Sequence, residues 1–158
     1  MNMILHQAGV IAYRVLDERF EVLLITSRGS GRWIIPKGNI SIGSTPSEAA
    51  EREAYEEAGI EGTIGGSIPL GFYTYFKRRA SGEAQAATVE VYLIRVEGQH
   101  KKWPEKGERE LSWVSVEEAI RLVEEPGVVP LLIRLMEFQD ILTSPGKPAS
   151  QILSEHRT

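Results

Sequence analysis

Cysteine is absent from the 158 residues. That excludes thiol catalysis, thiolate metal sites and disulfide staples, and it fits a reducing compartment. No stretch approaches the roughly 18 consecutive apolar residues that a membrane-spanning helix requires. The opening MNMILHQAGV has no basic leader, so a cytoplasmic protein without a membrane partner is expected. Histidine is scarce, and His6, His100 and His156 match no metal-ligand spacing, which makes them structural or surface residues. An excess of positive charge is missing too. The formal charge of −4 opposes general attraction to nucleic acid, and no stable nucleic-acid partner is expected despite the local cluster Lys77, Arg78 and Arg79.

What is present is the composition of an ordinary domain, 42% hydrophobic and 25% charged. A chain of this size buries roughly 70% of its unfolded surface and needs no staple to be stable. Ala8 to Val15 and Phe20 to Thr26 are β-rich runs separated by Asp17-Glu18-Arg19, the pattern of a hairpin. A short strand is expected at Trp33 to Ile35, ended by Pro36-Lys37-Gly38, with a loop through Ser44. Ile64 to Phe76 and Thr88 to Val96 are longer β candidates; the second is apolar on both faces and so central in a sheet. Leu111 to Val114 suggests a strand, Val116 to Val123 a helix, and Val129 to Leu142 an amphipathic helix with Leu131, Leu132, Leu135, Phe138 and Leu142 on its apolar side. Residues 1–143 are read as one domain, and the Ser-, Pro- and Lys-rich 144–158 as a loosely held tail.

The chemistry concentrates between Gly38 and Ile60. Thr45-Pro46-Ser47-Glu48 is a helix-start signal in which Thr45 caps, Pro46 takes the first helical position and Glu48 completes a capping box; Gly59 supplies the stop. Within that helix, at about 100° per residue, Glu53, Glu56 and Glu57 fall inside roughly 100° of arc. Like charges at these spacings cost a helix roughly 0.2–0.5 kcal/mol per pair. A divalent cation turns that repulsion into attraction, and hard carboxylate oxygens favour Mg2+, with Mn2+ as a substitute. Ala50, Ala54 and Ala58 form a stripe of small side chains through which the helix can approach a sheet closely. Arg52, four residues after Glu48, is placed to orient carboxylates.

This segment resembles the signature of the Nudix family: a glycine, five residues, Glu, seven residues, then Arg-Glu-hydrophobic-x-Glu-Glu-x-Gly-hydrophobic. Here it runs from Gly38 through Arg52, Glu53, Ala54, Glu56, Glu57 and Gly59 to Ile60. At residue frequencies of roughly 5–7% its Arg, Glu and Gly positions would recur in about one random chain in ten thousand, so coincidence is a poor explanation. Ser44 stands where the family has its first Glu. The resemblance implies an α/β fold, a Nudix-type α/β/α sandwich with a mixed β-sheet, and a pyrophosphohydrolase.

Carried over to this chain, the resemblance implies that Glu53 and Glu57 ligate the metal, with the Gly38 carbonyl as a further candidate ligand, while Glu56 binds a second ion or acts as general base. Arg52 is assigned to the catalytic machinery as an orienting group. A further acid is expected from the loop before a late strand, with Glu105 and Glu108 as candidates. The lead-in Trp33-x-x-Pro36-Lys37-Gly38 is similar to that of Nudix enzymes acting on diadenosine polyphosphates or diphosphoinositol polyphosphates. Lys37, Arg32 and Arg28 are accordingly candidate phosphate ligands. Trp33, Tyr73, Tyr75 and Phe76 are read as packing residues before stacking ones. The expected partner is a phosphorylated small molecule, best a diadenosine polyphosphate, bound by a monomer or homodimer. ADP-ribose, nucleoside triphosphates, RNA 5′ ends and a non-catalytic nucleotide-binding role stay open.

Overall fold

In a computed structural model, which describes residues 3–64, 66–143 and 153, the first hairpin forms as its pattern predicts. Strands β1 (Leu5–Leu16) and β2 (Arg19–Thr26) pair antiparallel, with Tyr13 opposite Val22. Their turn is the pair Asp17-Glu18, and Arg19 already belongs to β2. Both turn residues have positive φ, 51° and 64°, the combination that matches the twist of the flanking strands.

Beyond Val22 the two strands part. Val22 pairs with Tyr13 and Val114, and Ile25 with Ile34 and Leu111. Strand β8 (Leu111–Val114) therefore lies on one edge of β2, and β1 and β3 (Trp33–Ile34) on the other. Strand β4 (Lys37–Asn39) pairs with Gln7–Gly9 of β1. Lys37 and Gly38 are thus strand residues, a correction to the expected loop. Pro36 stops β3, as its missing donor requires, yet its carbonyl accepts from Val10 N at 3.0 Å and keeps the chain in the sheet.

Strand β7 (Ala84–Gln99) runs parallel to β1 from Leu5↔Ala87 to Tyr13↔Arg95. On its other edge it pairs antiparallel with β6 (Gly71–Arg78) and β5 (Ile60–Thr63). Its central position, expected from two apolar faces, is what the structure shows. Of the run expected as one strand from Ile64 to Phe76, only Gly71 to Phe76 is strand, as the first part of β6, and β5 ends at Thr63 before the run begins.

Helix α1 (Pro46–Ala58) covers one face of this mixed eight-stranded sheet; α2 (Val116–Leu122) and α3 (Val128–Thr143) cover the other. The apolar residues expected on α3 are all buried in the core beneath it. The α1 side is built from Ala49, Ala50, Ala54 and Ala58 packed on Val10, Ala12, Leu23, Tyr92 and Ile94. The expected tail lies outside the described residues except for Leu153, which is buried with the α3 side. No helix among the described residues is long and apolar enough to cross a membrane.

Because Ala54 is fully buried between helix and sheet, Ala54→Leu should lower stability by about 1–3 kcal/mol through overpacking. Urea unfolding measures this, and an unchanged midpoint would contradict the close approach of α1.

Candidate active site

The start of α1 is built as the sequence implies. Thr45 Oγ1 accepts from Glu48 N at 3.2 Å, and Glu48 Oε1 accepts from Thr45 N at 3.0 Å. This engages Glu48 with the cap, so the helical pair expected between Glu48 and Arg52 does not form. Arg52 Nη2 instead donates to the Asn39 carbonyl at 3.2 Å and lies 3.9 Å from Glu53 Oε1. Ser44, the one departure from the resembled signature, meets Arg52 Nη1 at 3.5 Å. Arg52 thereby ties α1 to the end of β4, with Glu53 beside it.

Glu53 lies against Gly38 so closely that a Cβ added to Gly38 would overlap the Glu53 carboxyl group. Glycine is therefore required at 38 by close approach, not by backbone angle. Burial raises the Glu53 pKa, and the Glu56 charge raises it further. Glu56 is half-buried, and its side chain has no hydrogen-bond donor among the described residues.

Glu57 is the most enclosed of the three, with 7% of its surface exposed. Its Oε1 accepts from Lys37 N at 2.9 Å and its Oε2 from Arg109 Nη2 at 3.0 Å. Burial pushes its pKa up to about 7, against the opposing effects of Arg109 and the Lys37 N–H. Glu105 joins the group from the loop before β8, where its N–H donates to the Glu56 carbonyl at 3.0 Å and its carboxylate meets Arg109 Nη2 at 3.0 Å. Its charge adds to the raised pKa of both Glu53 and Glu57.

The candidate phosphate ligands divide. Lys37 Nζ lies 2.7 Å from Glu125 Oε1 in a nearly buried pair and 4.8 Å from the Tyr75 ring centroid. Arg28 pairs with Glu108 at 3.2 Å and Glu105 at 3.6 Å, which places Glu108 at the outer end of an exposed ion pair. Arg32 is exposed and lines a cleft of about 300 Å³ with Tyr75, Phe76, Glu124 and Gly127. Tyr73 and Trp33 pack with the α3-side core, as read from the sequence.

Two residues at the site carried no expectation. Arg109 had one sequence signal, its i,i+4 spacing from Glu105; Glu125 had none, because its partner Lys37 is 88 positions away. Among the described residues, no three acidic or histidine side chains are gathered closely enough to hold a metal ion as they stand.

Nudix hydrolase 12, mitochondrial, of Arabidopsis thaliana is 32% identical over 131 residues, 73% of this chain and 64% of that protein. Diphosphoinositol polyphosphate phosphohydrolase 3-alpha of Homo sapiens is 28% identical over 120 residues, 75% of this chain and 68% of that one. Among solved structures, the C. elegans Ap4A hydrolase superposes with a TM-score of 0.60 at 22% identity over 86% of this chain and 98% of that one, a likeness of fold. The match covers less than two thirds of the first of these relatives. The NUDIX domain model matches residues 5–141, spanning the sheet, the glutamate helix and most of α3, and the chain belongs to that family.

Proposed function

We propose that the protein is a metal-dependent pyrophosphohydrolase that cleaves a phosphoanhydride bond in a nucleoside-diphosphate-linked or polyphosphorylated small molecule, with a diadenosine polyphosphate as the substrate best supported. The observation that carries this reading is that Glu53, Glu57 and Glu105 lie near enough beside Gly38 for their charges to act on one another, with Glu56 adjoining Glu57 on the same helix. The Trp33-x-x-Pro36-Lys37-Gly38 lead-in and the names of the matched relatives support the substrate class.

A hard divalent cation suits this donor set. All the donor side chains are carboxylates, and their burial and mutual repulsion raise the pKa of Glu53 and Glu57, a penalty that a cation removes. Glu53, Glu57 and the Gly38 carbonyl would hold Mg2+ or Mn2+, with Glu56 and Glu105 next in reach. When bound, the cation supplies charge stabilisation for the diphosphate and lowers the pKa of a coordinated water. Glu56, having no competing donor among the described residues, is the general base that takes the proton from water. Arg52 fixes the Glu53 carboxylate, and its role is to orient. Lys37, once it exchanges Glu125 for phosphate, and Arg32 and Arg28 hold the phosphate chain. Glu108 serves as the partner of Arg28 and not as a ligand.

Residues 1–143 form the single catalytic domain in this reading, acting as monomer or homodimer in the cytoplasm. A second reading, a domain that binds a nucleotide without turnover, is favoured by Ser44 at the first acidic position. Multiple turnover of any panel member rejects it.

With Mg2+ and a panel of diadenosine polyphosphates, nucleoside diphosphate sugars, ADP-ribose, nucleoside triphosphates and diphosphoinositols, product masses should show cleavage of a phosphoanhydride, fastest for diadenosine polyphosphate. Glu56→Gln should lower kcat by about 10²–10⁴-fold, the usual contribution of a general base. Full activity in both Glu56→Gln and Glu57→Gln would remove the mechanism. Arg32→Ala should raise KM several-fold with kcat nearly unchanged, because an exposed phosphate contact contributes equally to ground and transition states. Steady-state kinetics separate the two outcomes.

A further inference from the structure

Arg109 stands between two of the acids on which the proposed reaction rests. Only 7% of its side chain is exposed, and its guanidinium is shared among three acceptors. Nη1 donates to the Thr26 carbonyl at 3.0 Å, Nε to Glu105 Oε1 at 3.1 Å, and Nη2 lies 3.0 Å from both Glu57 Oε2 and Glu105 Oε1. Thr26 is itself fixed, because its N–H donates to the Glu110 carbonyl at 3.0 Å and its Oγ1 accepts from Glu110 N at 2.8 Å. Nη1 is anchored by backbone, whereas Nε and Nη2 meet only side-chain carboxylates and can yield without moving β2.

Both Glu57 oxygens are therefore committed within the protein, one to Lys37 N and the other to Arg109. Glu105 is doubly held, by Arg109 and by the exposed Arg28. A planar, permanently charged fork bridging two carboxylates supplies one positive charge where a divalent cation would supply two. This accounts for acids that face one another and yet are not gathered as a ligand set.

We propose that Arg109 is an internal counter-ion that competes with the divalent cation for Glu57 and Glu105, so that the cation gains those carboxylates only as the Nη2 contact to Glu57 and the Nε and Nη2 contacts to Glu105 let them go. Arg109 is thus a positioning residue that sets metal affinity, and the inference rests on the metal-dependent reading above. Its structural benefit is that the metal-free protein does not bury two uncompensated carboxylates, an arrangement that is strongly destabilising.

The test is calorimetric titration of the full chain with Mn2+ and with Mg2+. Arg109→Gln should bind each ion about tenfold tighter, the usual scale of outer-partner effects on metal sites with the sign reversed because the group removed is a cation. Arg109→Lys, which keeps the charge, should stay close to the parent protein. Unchanged or weaker binding by Arg109→Gln, with normal binding by the parent, overturns this inference alone; no binding by the parent overturns it together with the proposed function. Because Arg109→Gln can fail to fold, a second measurement uses the unaltered protein. The Arg109 Nε–H resonance of 15N-labelled protein should shift on Mg2+ addition and saturate with the calorimetric midpoint. A resonance unmoved at saturating Mg2+ overturns the proposal.

Discussion

The distance between α1 and the sheet controls everything at the site. Four fully buried alanines, Ala49, Ala50, Ala54 and Ala58, leave no side-chain bulk between the helix and the strands. The helix edge then comes close enough for the Glu53 carboxyl to occupy the space that a side chain at position 38 would fill. Glu57, one turn on, reaches Lys37 N across the same gap. Small residues at 38, 50 and 54 and acids at 53 and 57 are consequently one requirement, since any larger group on the buried stripe would lift the acids away from the strand they meet.

That closeness has an electrostatic cost, because it takes carboxylates out of water. The protein offsets the cost with cations drawn from elsewhere in the chain. Arg109 shares its one charge between Glu57 and Glu105, with Arg28 also beside Glu105, and Lys37 and Glu125 neutralise each other in a nearly buried pair whose second carboxylate oxygen, Glu125 Oε2, has no hydrogen-bond partner among the described residues. Both pairs can exchange partners with what the proposed reaction brings in. A divalent cation would replace the guanidinium, and a phosphate would replace the Glu125 carboxylate. The chain itself already carries one charge of each kind at the places where the proposed reaction would use them.

The parts of this arrangement that could be read from sequence are those fixed within one or two helical turns. The capping box at Thr45 and Glu48, the stop at Gly59 and the alanine stripe all follow from local geometry, and each has its expected form. What could not be read depends on contacts between distant segments. The assignment of Lys37 and Gly38 to a strand follows from the divergence of β1 from β2, which opens a gap that β3 and β4 fill; nothing within residues 33–39 announces it. Arg109 and Glu125 find their roles 52 and 88 positions from their partners. For Lys37, the resemblance of the Trp33-x-x-Pro36-Lys37-Gly38 lead-in suggests a ligand for phosphate, and only the folded chain reveals the acid, Glu125, that already holds it.

Gly59 shows why the helix signature and the loop acid belong to one design. Its φ of 67° lets the chain turn out of α1 while its N–H caps the Tyr55 carbonyl at 2.8 Å. The same missing side chain admits the Trp103 ring, which would collide with a Cβ at this position. Around that contact the loop before β8 attaches to the end of α1: His100 N donates to the Gly59 carbonyl at 2.9 Å, Gln99 Nε2 to the Ala58 carbonyl at 2.7 Å, and Glu105 N to the Glu56 carbonyl at 3.0 Å. The unsatisfied carbonyls of a helix terminus thus become the docking points for the segment carrying Glu105 and Arg109. Helix capping and the delivery of the fourth carboxylate are consequently the same set of hydrogen bonds, and the position of Glu105 is fixed by the backbone of the helix whose acids it joins.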